Sequence, residues 1–159
     1  MVTSASLRGG YHPGYRIVVV MLRILYIVID DAGNPLISDF GLSRLAETVS
    51  TRTPGADNSL RWLAPELLRG DNLLTLSSDI YSYGMTVLEL FTHERPWSSI
   101  PQSVVVIIQA IQGLRPPRPM QSQILERGLD VNCWALVEHC WAQSPEERPT
   151  IQEILSSLP

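Results

Sequence analysis

The sequence contains no lysine, so all twelve of its basic side chains are arginines. Sixteen acidic residues outnumber them, and the formal net charge is −4. Proteins that bind nucleic acid concentrate basic residues on one face or along one helix. No such basic stripe is present here, which excludes nucleic acid as a predicted partner.

Cysteine is nearly absent as well. Cys133 and Cys140 are the two cysteines, seven positions apart in a segment with a helical pattern. That spacing puts two thiols on one helix face and does not form a disulfide framework. A reducing compartment, the cytoplasm, is therefore the predicted location.

The sequence also lacks a long uninterrupted apolar run. The most apolar stretch, Ile17 to Ile29, has thirteen residues and is broken by Arg23. It is too short and too polar at its centre to span a bilayer. The following Asp30-Asp31-Ala32-Gly33 is a poor signal-peptide cleavage site. A buried β-strand is predicted instead of a membrane or export segment, with wrongly assigned sequence as a further alternative.

The N-terminal part is predicted to hold one small β element. Residues 1–16 read as irregular, and two β-branched runs follow at Ile17–Leu22 and Ile24–Ile29. The turn cluster of residues 30–34 and the apolar pair Leu36-Ile37 complete a predicted hairpin. Residues 42–63 are polar and predict a long functional loop.

From residue 64 onward the periodicity is helical, so the fold is predicted to be mainly α. One helix is predicted from a Ser78 cap to about Thr92, and two others cover Gln102–Gln112 and Val131–Trp141. The helix that begins at Ser78 should bury Ile80, Tyr83, Val87, Leu88 and Phe91. Capping boxes starting at Ser144 and Thr150 predict further helix starts, the last helix ending near Leu158.

Five short motifs occur in a meaningful order. They are Asp39-Phe40-Gly41, Ala64-Pro65-Glu66, Asp79-Ile80-Tyr81-Ser82-Tyr83-Gly84, Glu94-Arg95-Pro96-Trp97 and Glu147-Arg148-Pro149. Each alone is weak, but their order and spacing resemble the large lobe of a eukaryotic protein kinase over residues 26–158. Arg61-Trp62-Leu63, and Trp141 ahead of Arg148, most resemble the tyrosine-kinase-like group of Ser/Thr kinases.

The resemblance implies a protein-kinase-like fold: a mainly α-helical C-terminal lobe with a small N-terminal β-hairpin and no small lobe. Residues 17–159 would be a partial kinase domain, with an activation segment at 39–66 and the helical lobe at 64–158. The implied activity is ATP-dependent phosphorylation of protein Ser/Thr, with ATP and Mg²⁺ as cofactors. The implied partners are a protein substrate or another protein.

The resemblance assigns the cofactor site to the first motif. Asp39 would hold Mg²⁺ on the nucleotide phosphates, Phe40 would pack beneath it, and Gly41 would give the backbone freedom to move. A loop aspartate that caps a turn is the alternative interpretation of Asp39.

The activation segment would be the regulated part. A phosphate on Thr48, Ser50, Thr51 or Thr53 could order it by pairing with arginine, although the same residues also fit an unmodified polar loop. Ser59 falls where Ser/Thr-directed kinases of this family usually have threonine.

Three further residues are given structural roles by position in the family. Glu66 and Arg148 would form a bidentate ion pair that fastens the end of the activation segment to the helical core. Asp79 would accept backbone N–H groups of the catalytic loop, or cap its own helix.

The family pattern breaks before residue 26. Counting back from Asp30 without a gap places Met21 at the position of the catalytic base and Tyr26 at that of a metal-holding asparagine. A thioether cannot accept a proton from the substrate, and no lysine is available for the nucleotide phosphates. The sequence upstream offers no glycine-rich loop. These residues predict an impaired catalyst and poor ATP and Mg²⁺ binding.

Two alternatives to a catalyst follow from this break. The chain could be a pseudokinase-type module that binds a protein partner through its helical face. Val104–Ile108 is more apolar than one buried face requires, which fits a partner-docking surface, with ordinary core packing as the alternative. It could also be a truncated gene product in which residues 1–25 come from a retained intron or a wrong start.

Overall fold

The computed structural model describes residues 27–37, 59–71 and 74–157. Within them the chain is mostly helical, with a two-stranded antiparallel sheet in front, as the sequence predicts. The predicted strand at Ile17–Leu22 and most of the predicted polar loop lie outside the described residues. The helices are α1 Pro65–Arg69, α2 Leu76–Thr92, α3 Ser103–Ile111, α4 Ser122–Glu126, α5 Val131–Cys140 and α6 Ile151–Ser157.

The predicted hairpin is present, but its first strand is not buried as predicted, because Val28 is 46% and Ile29 64% exposed. Strand β1 (Ile27–Ile29) pairs with β2 (Pro35–Ile37), and Val28 lies opposite Leu36. The Asp30 carboxylate accepts hydrogen bonds from the backbone N–H of Asn34 at 2.7 Å and of Ala32 at 2.9 Å. These bonds, above all those from Asn34, lower the pKa of Asp30. The turn is therefore closed by hydrogen bonds between neighbouring residues. This explains why the turn could be predicted from the sequence.

Helix α2 begins three residues earlier than predicted, because Thr75 caps it and Ser78 does not. The Thr75 hydroxyl accepts from the Ser78 N–H at 3.1 Å, and the Ser78 hydroxyl oxygen accepts from the Thr75 N–H at 3.1 Å. This reciprocal pair is a capping box with serine at its third position. Ser78 takes part in the cap as its second member.

The buried face of α2 is rotated relative to the prediction. Ile80 and Leu88 are buried as predicted, whereas Tyr83, Val87 and Phe91 are half-buried at the edges of core clusters. The largest fully buried side chains of α2 are Tyr81, 1% exposed, and Met85, 0% exposed. Neighbours on several sides surround α2, so a single predicted stripe does not describe it.

Two other predictions of helix starts have opposite outcomes. At Thr150 the capping box is confirmed: the Thr150 N–H donates to the Glu153 carboxylate at 2.7 Å, and the Glu153 N–H donates to the Thr150 hydroxyl. At Ser144 it is wrong, because Pro145–Glu147 form a single 3₁₀ turn and the Ser144 hydroxyl donates to the Glu146 carboxylate. Helix α4 was not predicted.

The core lies where α2 crosses α5. A Cβ added to Gly84 would lie 2.9 Å from the Cβ of Cys140, so glycine allows this close approach. Trp134 and Trp141 meet edge to face beside it, with ring centroids 5.5 Å apart. Both cysteines are free thiols.

None of the helices in the described ranges combines the length and apolarity that a membrane span requires. The same residues hold no cluster of three or more histidine, cysteine or acidic side chains suited to a metal ion.

Candidate functional site

The candidate site is built around a bidentate ion pair between Glu66 and Arg148. The two guanidinium amino groups of Arg148 donate to the two carboxylate oxygens of Glu66, at 2.7 and 2.8 Å. The Arg148 side chain is 0% exposed and that of Glu66 13% exposed. Two parallel charge-assisted bonds shielded from water fix the start of α1 relative to the segment before α6.

Arg148 also holds two backbone carbonyls. Its Nε donates to the oxygen of Ala142 at 3.0 Å, and Nη1 donates to the oxygen of Ser77 at 2.9 Å. The guanidinium therefore joins the start of α1, the start of α2 and the chain after α5. These two bonds, together with the two to Glu66, offset part of the cost of burying a charge.

Tyr81 fills the space between two arginines. The guanidinium of Arg115 lies 5.2 Å from the centre of its ring and that of Arg148 5.1 Å. Both distances are in the range of cation–π attraction. Burial, partly opposed by the two positive charges, raises the pKa of the Tyr81 hydroxyl to about 12. Tyr81 is therefore a neutral packing element of the site at physiological pH.

Arg61 anchors the chain just before α1. Its two amino groups donate to the carbonyl oxygens of Pro96, Trp97, Ile100 and Pro101, at 2.7 to 3.3 Å. The residue is 2% exposed. A planar guanidinium can reach four carbonyls of one loop at once, so it ties the 3₁₀ turn Leu60–Trp62 to the segment that leads into α3.

Trp62 fastens the same turn to α2. Its indole N–H donates to the Glu89 carboxylate at 3.2 Å, and its carbonyl oxygen accepts from the Ser82 hydroxyl at 2.9 Å. The residue is 1% exposed. Arg61 thus connects the turn to the segment before α3, and Trp62 connects the same turn to α2.

Ser59 and Asp79 lie at the edges of this assembly. Ser59 is half-buried and immediately precedes the 3₁₀ turn, where its carbonyl accepts from the Trp62 N–H. Asp79 is half-buried in the first turn of α2, where a negative charge favours the helix dipole. Thr75, and not Asp79, is the N-cap of that helix.

The other predicted site residues lie outside the described residues. These are Met21, Asp39, Phe40, Gly41, Thr48, Ser50, Thr51 and Thr53. The structure therefore brings together the predicted structural residues Glu66 and Arg148, while the cofactor and phosphorylation predictions remain predictions.

Sequence reasoning missed three parts of the site. Arg61 entered only as part of a motif, and Tyr81 and Arg115 were given no role. One signal was available: Arg61 stands between Leu60 and Trp62, an apolar setting in which an arginine must find buried acceptors. Nothing local marks Tyr81, since its partners come from other segments.

Comparison with known proteins shows a matching family and several similar kinases. Residues 22–158 match the family described as protein tyrosine and serine/threonine kinase. A probable serine/threonine-protein kinase of Dictyostelium discoideum is 35% identical over 137 residues, which is 86% of this chain and 10% of that protein. The serine/threonine-protein kinase CTR1 of Arabidopsis thaliana is 31% identical over 132 residues, 83% of this chain and 15% of that protein.

A third relative is the mitogen-activated protein kinase kinase kinase mkh1 of Cytospora mali, 32% identical over 136 residues, 84% of this chain and 7% of that protein. The chain thus spans about a tenth of the length of these relatives. The family match begins at residue 22, one position after Met21.

Proposed function

The chain belongs to the protein tyrosine and serine/threonine kinase family, and from that premise we propose that its 159 residues form a Ser/Thr-type C-terminal lobe that does not transfer phosphate by itself. The observation that carries this is the residue at the base position. An ungapped count from Asp30 places Met21 there, and the sequence contains no lysine.

The chemical argument concerns proton transfer and charge. A positioned general base contributes on the order of 10²–10⁴ in rate. The thioether of Met21 has no basic lone pair suited to that task. The transferred phosphoryl group is also stabilised by a lysine and metal ions, and arginine is the only permanent cation available here.

The residues present do not fit a complete Mg²⁺–ATP site. Asp39 supplies one carboxylate, but Tyr26 occupies the position of the second metal ligand, and a phenol is a poor ligand for Mg²⁺. We therefore assign no reaction step to the nucleotide in this chain.

The proposal gives Glu66 and Arg148 a structural role. Their pairing supports the view that they hold the end of the activation segment, residues 39–66, on the helical core. Thr48, Ser50, Thr51 and Thr53 are the proposed phosphorylation positions, and Ser59 the hydroxyl next to the anchored turn. The free thiols of Cys133 and Cys140 support a cytoplasmic location.

Phosphate transfer from radiolabelled ATP to a generic protein acceptor tests the proposal directly. The purified 159-residue chain should give no more label than acceptor alone, with Mg²⁺ present. Label that disappears in Asp39→Ala would refute it. Asp31→Ala is the matched control, because Asp31 lies in the exposed hairpin turn and its loss should change nothing.

Thermal unfolding with and without Mg²⁺–ATP separates catalysis from binding. A ligand that binds only the folded state raises the stability by RT ln(1 + [L]/Kd). We expect no increase in the unfolding temperature. An increase lost in Asp39→Ala but kept in Asp31→Ala would show a residual nucleotide site.

A second function, a non-catalytic protein-interaction module, is favoured by the exposed face of α3. Val104 is 65% exposed, Ile108 50% and Val105 38%. Contiguous exposed apolar side chains are typical of interaction surfaces. If this face is accessible in solution, Val104→Ser with Ile108→Ser should lower the fluorescence of a bound apolar dye. Unchanged fluorescence would remove the support for this function.

A further inference from the structure

A groove of about 540 Å³ lies away from the ion pair, beside the C-terminal end of α2. The loop that leads to α3 and the extended segment before α4 form its other sides. Leu88, Trp97, Arg118, Met120 and Ile124 are among the residues that line it. Its volume falls within the range of about 300–1,000 Å³ seen for ligand-binding clefts. We call it the Trp97 groove.

The floor of the Trp97 groove is apolar. Leu88, Trp97 and Ile124 all line it, and they are 4%, 5% and 8% exposed. Met120 stands at the rim and is 77% exposed. An unbranched thioether at a rim adapts to different apolar partners. The groove is therefore suited to a ligand that carries apolar side chains.

Two buried N–H groups on the lining residues have no acceptor. Among the described residues, neither the indole Nε1 of Trp97 nor the Nε of Arg118 has a hydrogen-bond partner. A buried donor without an acceptor costs about 1–3 kcal/mol, and folded proteins rarely leave one. Both side chains line the same groove, but both nitrogens are buried. A bound ligand with several acceptors therefore satisfies both donors only after the two side chains rotate towards the groove.

The charged residues of the groove favour an anion. Arg95 and Arg118 contribute two positive charges, against one negative charge from Glu94. The guanidinium of Arg118 lies 5.9 Å from the ring centre of Trp134, which helps to position it. On a chain with a net charge of −4 this is a local excess of positive charge. Complementary charge selects partners and orients them.

We propose that the Trp97 groove binds an extended acidic peptide segment of a partner protein, with apolar side chains on the floor and carboxylate or carbonyl oxygens on the two buried donors. Backbone carbonyls supply the acceptors that an extended segment offers at regular intervals. This site is independent of whether the chain transfers phosphate.

The indole N–H signals provide a direct test. The chain has four tryptophans, so its proton–nitrogen correlation spectrum contains few indole signals, and Trp97→Phe identifies that of Trp97. A short peptide of alternating leucine and glutamate should shift this signal downfield, as an N–H that gains an acceptor does. The matched peptide of leucine and lysine should not. Binding of the acidic peptide without any change at Trp97, or no binding of either peptide, would overturn the proposal.

Variants that add one negative charge at an exposed position locate the binding surface without disturbing the core. Met120→Glu adds a negative charge at the exposed rim and should weaken acidic-peptide binding, measured by fluorescence anisotropy, on the order of tenfold. Leu155→Glu makes a comparable change at an exposed position of α6 and should leave the affinity unchanged. A loss of affinity in Leu155→Glu equal to that in Met120→Glu, or no loss in Met120→Glu, would refute the groove.

Discussion

Arg148 and Glu66 lie 82 positions apart in the chain, and two parallel hydrogen bonds of 2.7 and 2.8 Å join their side chains. The pair connects the start of the first helix to the segment before the last one. Because the Arg148 side chain is 0% exposed, this partner and two backbone carbonyls replace the water that would solvate an exposed guanidinium. Removing either member leaves a buried group without its counterpart.

Arg148→Met is expected to lower the free energy of unfolding by about 3–5 kcal/mol, because it leaves the Glu66 carboxylate buried without its partner. Urea denaturation measures this. The double variant Glu66→Leu with Arg148→Met should be more stable than Arg148→Met alone. Arg127→Met, at an exposed arginine with one bond to the Phe91 carbonyl, is the control and should change stability by at most about 0.5 kcal/mol. Equal losses at the two arginines would contradict the role of the pair.

Arg61→Lys is expected to destabilise the fold by about 2 kcal/mol or more, although the charge is kept. One ammonium group cannot reach the four carbonyls that the guanidinium satisfies, and buried carbonyls left without donors are costly. Thermal and urea unfolding measure the loss. Arg69→Lys, at an exposed arginine with one bond to the Ile111 carbonyl, provides the comparison. A neutral result at Arg61 would show that the loop does not depend on the planar group.

Gly84→Ala is expected to destabilise the protein by about 1–3 kcal/mol, because its Cβ would lie 2.9 Å from the Cβ of Cys140. Helix propensity alone predicts the opposite sign, since alanine is favoured over glycine by about 1 kcal/mol in a helix. The sign of the measured change decides between the two effects. A stabilised variant would mean that α2 and α5 separate easily.

Tyr81→Phe is expected to reduce the decrease in the free energy of unfolding at alkaline pH. The pKa of Tyr81 is raised from 10.0 to about 12 by burial. The unfolded tyrosine therefore ionises first, and the stability that the neutral group contributes below pH 10 is lost as the pH rises towards 12. Phenylalanine has no such ionisation. The difference in unfolding free energy between the variant and the parent should shift in favour of the variant over that interval.

Burial also raises the pKa of the Cys140 thiol to about 12. Ionisation of Cys140 therefore lowers the stability of the parent and of the variant alike as the pH rises. It cancels in the comparison. Parallel stability curves for the parent and Tyr81→Phe across this pH range would show that Tyr81 is not buried in solution.

Several features could be predicted because their signals are local. The hairpin turn is closed by Asp30 onto neighbours within four residues, and the last helix starts with the Thr150–Glu153 box. Family membership followed from five motifs in order, and the match over residues 22–158 confirms it. Local signals also have limits: Thr75 and Ser78 are both hydroxyl residues at the start of α2, and only the observed bonds show which one caps the helix.

The sequence by itself determined the family and the mainly helical class, since these depend on residue types and their order. Only the tertiary structure decided how α2 is rotated, which arginines are buried, and where a groove with two unsatisfied donors forms. The physical reason is that Arg61 and Tyr81 interact with groups from distant segments of the chain: Pro96 is 35 positions from Arg61, and Arg115 is 34 positions from Tyr81. No pattern within a single helix or turn contains that information.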